Sequence, residues 1–258
     1  MLPSLFISHG SPMLPLTEAP ARTFLAGLAA TLPRPKAILV ASAHWETDRP
    51  ALNAVARNDT IHDFYGFPPA LYRLSYPAPG DPALAERIAH LLGAAGLATD
   101  IDQARGLDHG AWVPLLLAYP DADIPVLQLS VQTPLGPAHH LRLGQALTPL
   151  RAEGVLVIGS GSWTHDLRRF RGQAIDAPEA PDVVAFSNWM DSALAEGRRD
   201  DLLAYRAKAP HAAQEHPTEE HLLPLFVALG AGGDNAKPTR IHHSASYGIL
   251  RMDAYAFA

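Results

Sequence analysis

The sequence of 258 residues contains no cysteine. This absence excludes disulfide bonds, thiolate metal sites and a cysteine nucleophile. It fits a protein of a reducing compartment, where structural disulfides are rare.

Long apolar runs and blocks of basic residues are also missing. No apolar stretch approaches the roughly 20 residues that span a membrane. The N-terminus, which begins Met1-Leu2-Pro3, lacks the basic and apolar regions of a signal peptide. The formal net charge is −6, and lysine and arginine form no long block. We therefore expect a soluble, cytoplasmic protein that binds neither nucleic acid nor membranes.

Charged residues make up only 18% of the chain, whereas hydrophobic residues make up 48%. A chain of this length and composition can bury a large core, and we expect one domain spanning residues 1–258. Because so few residues are charged, part of the surface is expected to be apolar, which is consistent with a homo-oligomer.

Several common catalytic motifs are absent. The sequence has no G-x-G-x-x-G, no G-x-S-x-G and no H-E-x-x-H. The stretch Gly159–Ser162 is rich in glycine but lacks the lysine of a phosphate-binding loop. Nucleotide binding and a local zinc signature are therefore not predicted.

Apolar runs alternate with helical patterns along the chain. The predicted strands are Leu5–Ser8, Ala37–Ser42, Val126–Ser130, Val155–Ser160 and a last one near Thr239–Ser244. The predicted helices are Ala21–Leu32, Pro82–Ala95, His139–Leu150 and Pro181–Glu196. This alternation predicts an α/β fold with a central, mostly parallel sheet flanked by helices.

Histidine is abundant, with 13 residues, and several of them follow predicted strands. His9 lies in "SHGSP", His44 in "SAHW" and His165 in "GSGSWTH". Because ligands of open α/β sheets bind at the carboxyl ends of the strands, these imidazoles are expected to meet at one edge. His221 follows Thr218, a predicted helix N-cap, so that the helix dipole would keep the ring neutral, as a metal requires.

Nitrogen ligands without thiolate suit zinc, copper, iron or nickel. A single histidine at a strand end is, however, more often a structural residue than a ligand. His109, in "GLDHGAWVPL", is open to two interpretations: a general acid or base, or a hydrogen-bonding residue after Asp108, which would cap the next helix. Two adjacent pairs in polar contexts are expected to be solvated, His139 with His140 and His242 with His243, and for the second pair a place in the wall of a cleft is the alternative. His211 and His216 lie in a polar loop.

Six motifs, taken together and in this order, resemble one known family. They are "HGSP" (His9–Pro12), "SAHW" (Ser42–Trp45), "TIHDFYGFP" (Thr60–Pro68), "LDHGAWVPL" (Leu107–Leu115), "GSGSWTHDL" (Gly159–Leu167) and "EHLLPL" (Glu220–Leu225). The set is similar to the 4,5-DOPA extradiol dioxygenases, of the class III extradiol aromatic ring-opening dioxygenases. The resemblance extends from His9 to about Leu250.

This resemblance implies a mononuclear non-haem metal at the C-terminal ends of the strands. The implied metal ligands are His9, His44 and His221. His165 would be either a fourth ligand in a zinc form or an acid–base residue, and His109 the other acid–base residue. The best-known class III enzymes complete the metal site with a carboxylate, whereas the matching position here is His221, with Glu220 next to it.

The implied reaction is Fe(II)-dependent cleavage of the ring of a catechol-type, DOPA-like substrate by O2. Both oxygen atoms would enter the product, and Zn(II) can occupy the same site. Two alternatives remain open: a zinc-dependent hydrolase and a non-catalytic metal-binding protein on the same scaffold. Trp112, Trp163 and Phe64 are candidates for the pocket wall or, as most aromatic residues are, for the core, and His62 is a further candidate for the pocket.

Overall fold

The computed structural model describes all 258 residues, whose ten strands form an eight-stranded sheet and a separate two-stranded sheet. The strands are β1 (Ser4–Ser8), β2 (Ala37–Glu46), β3 (Ala51–Asn53), β4 (Asp100–Asp102), β5 (Val126–Val131), β6 (Val155–Gly161), β7 (Pro238–His242), β8 (Ala245–Ser246), β9 (Leu250–Arg251) and β10 (Ala254–Phe257).

The centre of the large sheet is parallel. The strand order is β4-β3-β5-β2-β6-β1-β10-β7. Strands β5, β2, β6 and β1 run parallel, whereas β10 pairs antiparallel with β1 and β7, and β3 pairs antiparallel with β5. The four central strands are the first four that the sequence predicts. The predicted α/β fold with a mostly parallel sheet is therefore confirmed.

Nine helices connect the strands. They are α1 (Pro20–Leu28), α2 (Pro82–Ala94), α3 (His109–Ala118), α4 (Gly136–Glu153), α5 (Pro181–Ala195), α6 (Arg199–Leu203), α7 (Tyr205–Lys208), α8 (Ala212–Glu215) and α9 (Leu223–Gly232). Each of the four predicted helices is present. The side chain of Asp81 accepts a hydrogen bond from the main-chain N–H of Leu84 and thereby caps α2.

The central strands are buried on both faces because their side chains alternate between two layers of core. In β2, Ile38 and Val40 pack in the core with α1 and α3, whereas Leu39 and Ala41 pack in the core with α2 and α4. The chain thus forms one α/β domain in which helices cover both faces of the sheet. None of its helices combines the length and apolar composition needed to cross a membrane.

The predicted N-cap at Thr218 is wrong. Helix α9 begins at Leu223, and the hydroxyl of Thr218 donates to Glu220 Oε1 instead of accepting from a main-chain N–H of the helix. His221 therefore precedes the helix and is not in its first turn. Pro224, in the first turn, is compatible with a helix that begins there, because a proline lacks an N–H that the first turn would leave unbonded.

Candidate metal centre and active site

Three histidine side chains converge at the carboxyl edge of the parallel strands. His9 follows β1, His44 lies near the end of β2, and His221 lies just before α9. The Nε2 atom of His44 lies 3.0 Å from Nε2 of His9 and 3.3 Å from Nε2 of His221. We call these three residues the histidine cluster. One nitrogen from each lies within 4.8 Å of the others, so that the three could bind one metal ion.

Hydrogen bonds on the outer side of the cluster determine which ring nitrogens carry protons. His9 Nδ1 lies 3.1 Å from Ser160 Oγ, and His221 Nδ1 lies 2.8 Å from Glu220 Oε1. The Ser160 hydroxyl donates to the carbonyl of Gly110, so that its oxygen accepts from His9. Both outer nitrogens are thus donors, and in the neutral rings Nε2 is left with a lone pair.

The inner contacts fit a cation. His44 Nε2 has at most one proton, so it can donate to His9 or to His221 but not to both. At least one of the two contacts therefore brings two nitrogen lone pairs together, which is unfavourable unless a positive ion lies between them. Three neutral imidazole nitrogens are also a donor set that Zn(II), Cu(II) and Fe(II) accept. The residues present therefore fit a metal ion.

Burial keeps the cluster neutral. The side chains of His9 and His221 are almost fully buried, and that of His44 is 21% exposed. Burial, and then the neighbouring histidines, hold the pKa of His9 and of His221 well below the usual range. Burial, followed by the charge of His109, lowers the pKa of His44 to about 3. Neutral imidazole is the form that binds a metal.

Two glycines allow the backbone to approach the cluster. A Cβ atom on Gly161 would lie 2.0 Å from the carbonyl oxygen of His221, which accepts a hydrogen bond of 2.8 Å from the N–H of Ser162. A Cβ atom on Gly110 would lie 2.5 Å from Ser42 Oγ. Larger residues at these positions would displace His221 from the end of β6, or α3 from β2.

His109 lies beside the cluster, as the first residue of α3. Its ring centroid is 3.9 Å from that of His44 and 5.4 Å from that of His9. The carboxylate of Asp63 accepts hydrogen bonds from the main-chain N–H and from Nδ1 of His109. Burial would raise the pKa of Asp63, but the hydrogen bonds and charge of His109 outweigh it and lower that pKa. His109 Nε2 is then the nitrogen free to exchange a proton.

Asp108 does not cap α3 with its side chain, so that part of the structural interpretation of His109 is wrong. Its fully buried carboxylate instead accepts hydrogen bonds from Ser42 Oγ, Arg105 and Gln128. Burial raises the pKa of Asp108. The residue ties the start of α3 to β2 and β5, and thereby holds His109 next to His44.

His165 lies on the other side of the cluster. Its ring is stacked on that of His221, with centroids 3.4 Å apart and planes inclined by 13°. A nitrogen of His165 lies within 4.8 Å of ligand atoms of Glu220 and His221, in a second group that shares only His221 with the histidine cluster. Burial lowers the pKa of His165 to about 4. His165 is thus next to one member of the cluster only.

A cavity of about 470 Å³ opens onto these residues. Its wall includes His9, His44, His109 and His165, together with the aromatic side chains of Phe64, Phe67 and Phe170. The volume is typical of a site for a small organic molecule. Of the aromatic candidates, only Phe64 lines this cavity.

The other candidates belong to the interior. Trp112 and Trp163 are fully buried core residues. A ring nitrogen of His62 bonds to the carbonyl of Leu74, and His62 does not line the cavity.

The prediction of a polar environment is wrong for His140 and His216, which are fully buried.

Sequence reasoning missed Asp63 and Ser160, which hold His109 and His9. Asp63 lies inside the motif "TIHDFYGFP", which indicates the family resemblance but assigns no role to the aspartate. Ser160 is the last residue of a correctly predicted strand, and nothing in the sequence indicates that it pairs with His9.

The fold and the site together define an α/β protein with a candidate mononuclear metal site formed by histidines. Residues 3–258 match the family model described as the catalytic LigB subunit of aromatic ring-opening dioxygenase. The chain therefore belongs to the LigB family of aromatic ring-opening dioxygenases. Dioxygenases of this family depend on a metal, for which the histidine cluster is a candidate site.

Individual relatives agree with this assignment. The chain is 49% identical to the 4,5-DOPA dioxygenase extradiol of Beta vulgaris, over 98% of this chain and 96% of that protein. It is 40% identical to the protein of the same name from Escherichia coli (strain K12), over 93% and 88% of the two chains. A crystal structure of an uncharacterized E. coli K12 protein has a TM-score of 0.82 and 33% identity, covering 100% of both chains. The predicted family, and with it an extradiol dioxygenase activity, is confirmed.

Proposed function

We propose that the protein opens the aromatic ring of a catechol with O2, using Fe(II) held by His9, His44 and His221. The observation that carries this proposal is the convergence of the Nε2 atoms of His9, His44 and His221 beside a cavity whose wall includes His9, His44, His109 and His165. The curated relatives named 4,5-DOPA dioxygenase extradiol make L-DOPA the first DOPA-like substrate to test.

The metal would supply a site at which the two catechol oxygens and dioxygen meet and exchange electron density. Three protein ligands are enough to hold an ion and leave positions open for other ligands. Glu220 supports this set as an acceptor for His221 Nδ1–H. Its carboxylate thus orients a ligand, and we assign the third ligand to His221.

Two histidines are proposed to move protons. Nδ1 of His109 is bonded to Asp63, so Nε2 of His109 is the atom that would take a proton from a catechol hydroxyl. His165, stacked on His221, would hold or return a proton on the side of the cavity next to Glu220. Because His165 groups with Glu220 and His221 and not with His9 and His44, we assign it this role in preference to that of a fourth ligand.

The cavity wall also restricts how the substrate binds. Phe64 and Phe67 lie with ring centroids 5.4 Å apart, and Phe64 is 5.8 Å from His109. A planar aromatic ring can pack against such faces and edges, which would exclude water from the reacting atoms. Membership in a family of ring-opening dioxygenases favours this function over the zinc hydrolase and the non-catalytic protein. The cytoplasmic location and the homo-oligomer stay predictions.

The experiment uses protein freed of metal and reloaded without oxygen, in parallel, with Fe(II) or Zn(II). Each sample receives L-DOPA or catechol, oxygen is admitted, and oxygen uptake is recorded together with visible absorbance. We expect one O2 consumed per catechol and a new ring-opened chromophore with Fe(II), and neither with Zn(II). A fully loaded Fe(II) sample that consumes no oxygen with any catechol would overturn the proposal.

A further inference from the structure

One tyrosine of the cavity wall occupies a backbone position that tyrosine disfavours. Tyr247 and Gly248 join β8 to β9, and across them the N–H of Ile249 bonds to the carbonyl of Ser246. Both joining residues have a positive φ, +59° for Tyr247 and +68° for Gly248, as the central residues of a type I′ turn do. The first of these positions favours asparagine, aspartate or glycine, because a bulky side chain is strained in left-handed backbone. A tyrosine at this position therefore requires an explanation outside the turn itself.

The loop after β6 holds this turn in place. The N–H of Tyr247 donates to the carbonyl of Ile175, and the carbonyl of Gly248 accepts from the N–H of Ala180, each at 2.9 Å. The ring of Tyr247 packs edge-on against that of Phe170, with centroids 5.1 Å apart. The turn is thus bonded to the loop on both of its central residues, and the ring of Tyr247 is a fixed part of the cavity wall.

Tyr247 belongs to the outer part of the cavity. Its ring packs on Phe170, which is 46% exposed, and on none of the histidine rings. Its hydroxyl makes no hydrogen bond within the protein, although the residue lines the cavity. Tyr247 is therefore placed to face the ring substituent of a bound catechol and not the two hydroxyls, which would face the histidine cluster.

The cavity wall offers hydroxyl donors and no cation. Among its 15 residues there is no lysine or arginine, and the hydroxyls besides that of Tyr247 are those of Ser11 and Ser162. The hydroxyl of Ser162 already donates to the carbonyl of Thr164, whereas Ser11 Oγ accepts from the N–H of Met13 and keeps its proton free. The protons of Tyr247 and Ser11 are thus available to an acceptor. A carboxylate gains most from them, because hydrogen bonds to an ionised acceptor are the stronger ones.

We propose, on the basis of the function proposed above, that the hydroxyl of Tyr247 binds the substrate by donating a hydrogen bond to a carboxylate on the ring substituent. With the two catechol hydroxyls at the histidine cluster, this contact fixes the direction in which the substituent points. Tyr247 is then a residue that determines specificity, with Ser11 as a second donor. Strained backbone persists at sites where function requires it, which accounts for a tyrosine in a turn that favours asparagine.

The first test measures binding without turnover. Calorimetry on the Zn(II)-loaded protein gives Kd for 3-(3,4-dihydroxyphenyl)propionate and for 4-propylcatechol, which has a substituent of similar size and no carboxylate. Tyr247→Phe keeps the ring and removes the hydroxyl, so we expect Kd for the propionate to rise roughly tenfold and Kd for 4-propylcatechol to stay unchanged. The control is Tyr65→Phe, because Tyr65 is 92% exposed and does not line the cavity. If Tyr247→Phe leaves the ratio of the two Kd values at that of the wild type, the inference is wrong.

The second test measures turnover by the Fe(II)-loaded enzyme. The contact with the substituent is remote from the reacting atoms and is lost equally before and during the reaction. Tyr247→Phe should therefore raise KM for the propionate and for L-DOPA roughly tenfold, change kcat by less than about twofold, and leave both constants for 4-propylcatechol as in the wild type. A loss of kcat that is equal for all three substrates would overturn the inference, because it would indicate a structural role. If the wild type cleaves none of the three, the proposed function fails, and the two Kd values still decide the role of Tyr247.

Discussion

The carboxylate of Asp63 accepts two hydrogen bonds from His109, at 2.9 Å from the main-chain N–H and at 2.8 Å from ring Nδ1. One side chain therefore fixes both the start of α3 and the ring orientation of a candidate acid–base residue. The same carboxylate lies 3.8 Å from Nδ1 of His44. The loop that contains Asp63 thus connects the proton-transfer side of the site to the histidine cluster.

Replacement of Asp63 should reduce turnover. In Asp63→Asn only one amide oxygen remains to accept, so one of the two hydrogen bonds is lost and the preference for the Nδ1–H tautomer weakens. We expect kcat to fall by about 10- to 100-fold, with KM and metal content close to wild type. Steady-state kinetics together with metal analysis measures this, and Asp59→Asn, an exposed change in the same loop, is the control. A kcat equal to that of the wild type would exclude a positioning role.

Loss of any member of the histidine cluster should prevent metal binding. In His9→Ala, His44→Ala or His221→Ala, two nitrogens remain, and we expect the affinity to fall by more than the roughly 10- to 100-fold that loss of a supporting hydrogen bond costs. His109→Ala, in contrast, should keep the metal and lose turnover. Metal content after dialysis distinguishes the two groups, and exposed His90→Ala is the control. Full metal content in the cluster variants would contradict the assignment.

Replacement of Glu220 should weaken metal affinity without changing which residues bind the metal. Its carboxylate accepts from His221 Nδ1–H at 2.8 Å, and Glu220→Ala removes this acceptor. We expect metal affinity to weaken by about 10- to 100-fold, measured by competition with a chelator, while saturating Fe(II) restores activity. The neighbouring Glu219, which pairs with Arg206, gives the control Glu219→Ala. If excess Fe(II) fails to restore Glu220→Ala, the carboxylate has a more direct part than supporting His221.

His140, which is not part of the histidine cluster, should make the fold sensitive to acid. Its two ring nitrogens bond to the N–H of Gln132 and the carbonyl of Gly136, and burial lowers its pKa from 6.5 to about 4. Because the pKa is depressed in the folded state, its contribution is present above pH 6.5 and is lost as the pH falls towards 4. The loss amounts to about 3 kcal/mol of unfolding free energy.

Urea unfolding at several pH values tests this dependence. Between pH 6.5 and 4, the unfolding free energy of His140→Gln should fall less steeply than that of the wild type. The exposed replacement His90→Gln should follow the wild type. Parallel curves for wild type and His140→Gln would mean that His140 does not contribute to the acid sensitivity.

The sequence predicts the centre of the fold well because the central strands are buried on both faces. Continuous apolar runs such as Val155–Ser160 have few interpretations other than a strand in such a sheet. The sequence does not predict β3 and β4, the two strands at one side of the sheet, because they are only three residues long. The sequence also predicts that His9 and His44 lie close together. Both follow predicted parallel strands, and the carboxyl ends of parallel strands meet at one edge of the sheet.

The remaining parts of the site depend on tertiary packing. The start of α9 is displaced from the expected position because the carbonyl of His221 bonds to Ser162 at the end of β6, a contact between residues far apart in the chain. His216 lies in a polar stretch, yet its ring is buried and bonded to the carbonyl of Trp163. The pairing of Asp63 with His109 joins a loop to the start of α3, 46 residues away, which no local pattern could indicate.

The residues of the histidine cluster are separated by 35 and by 177 positions along the chain. An ion bound to all three would cross-link the first strand, the second strand and the segment before α9. Since the unfolded chain cannot offer these nitrogens together, a metal at 100 times its Kd would stabilise the native state by about 2.7 kcal/mol. Degradation by proteases depends on how often the chain opens. A cell short of metal would therefore hold an enzyme that is not only inactive but also shorter-lived.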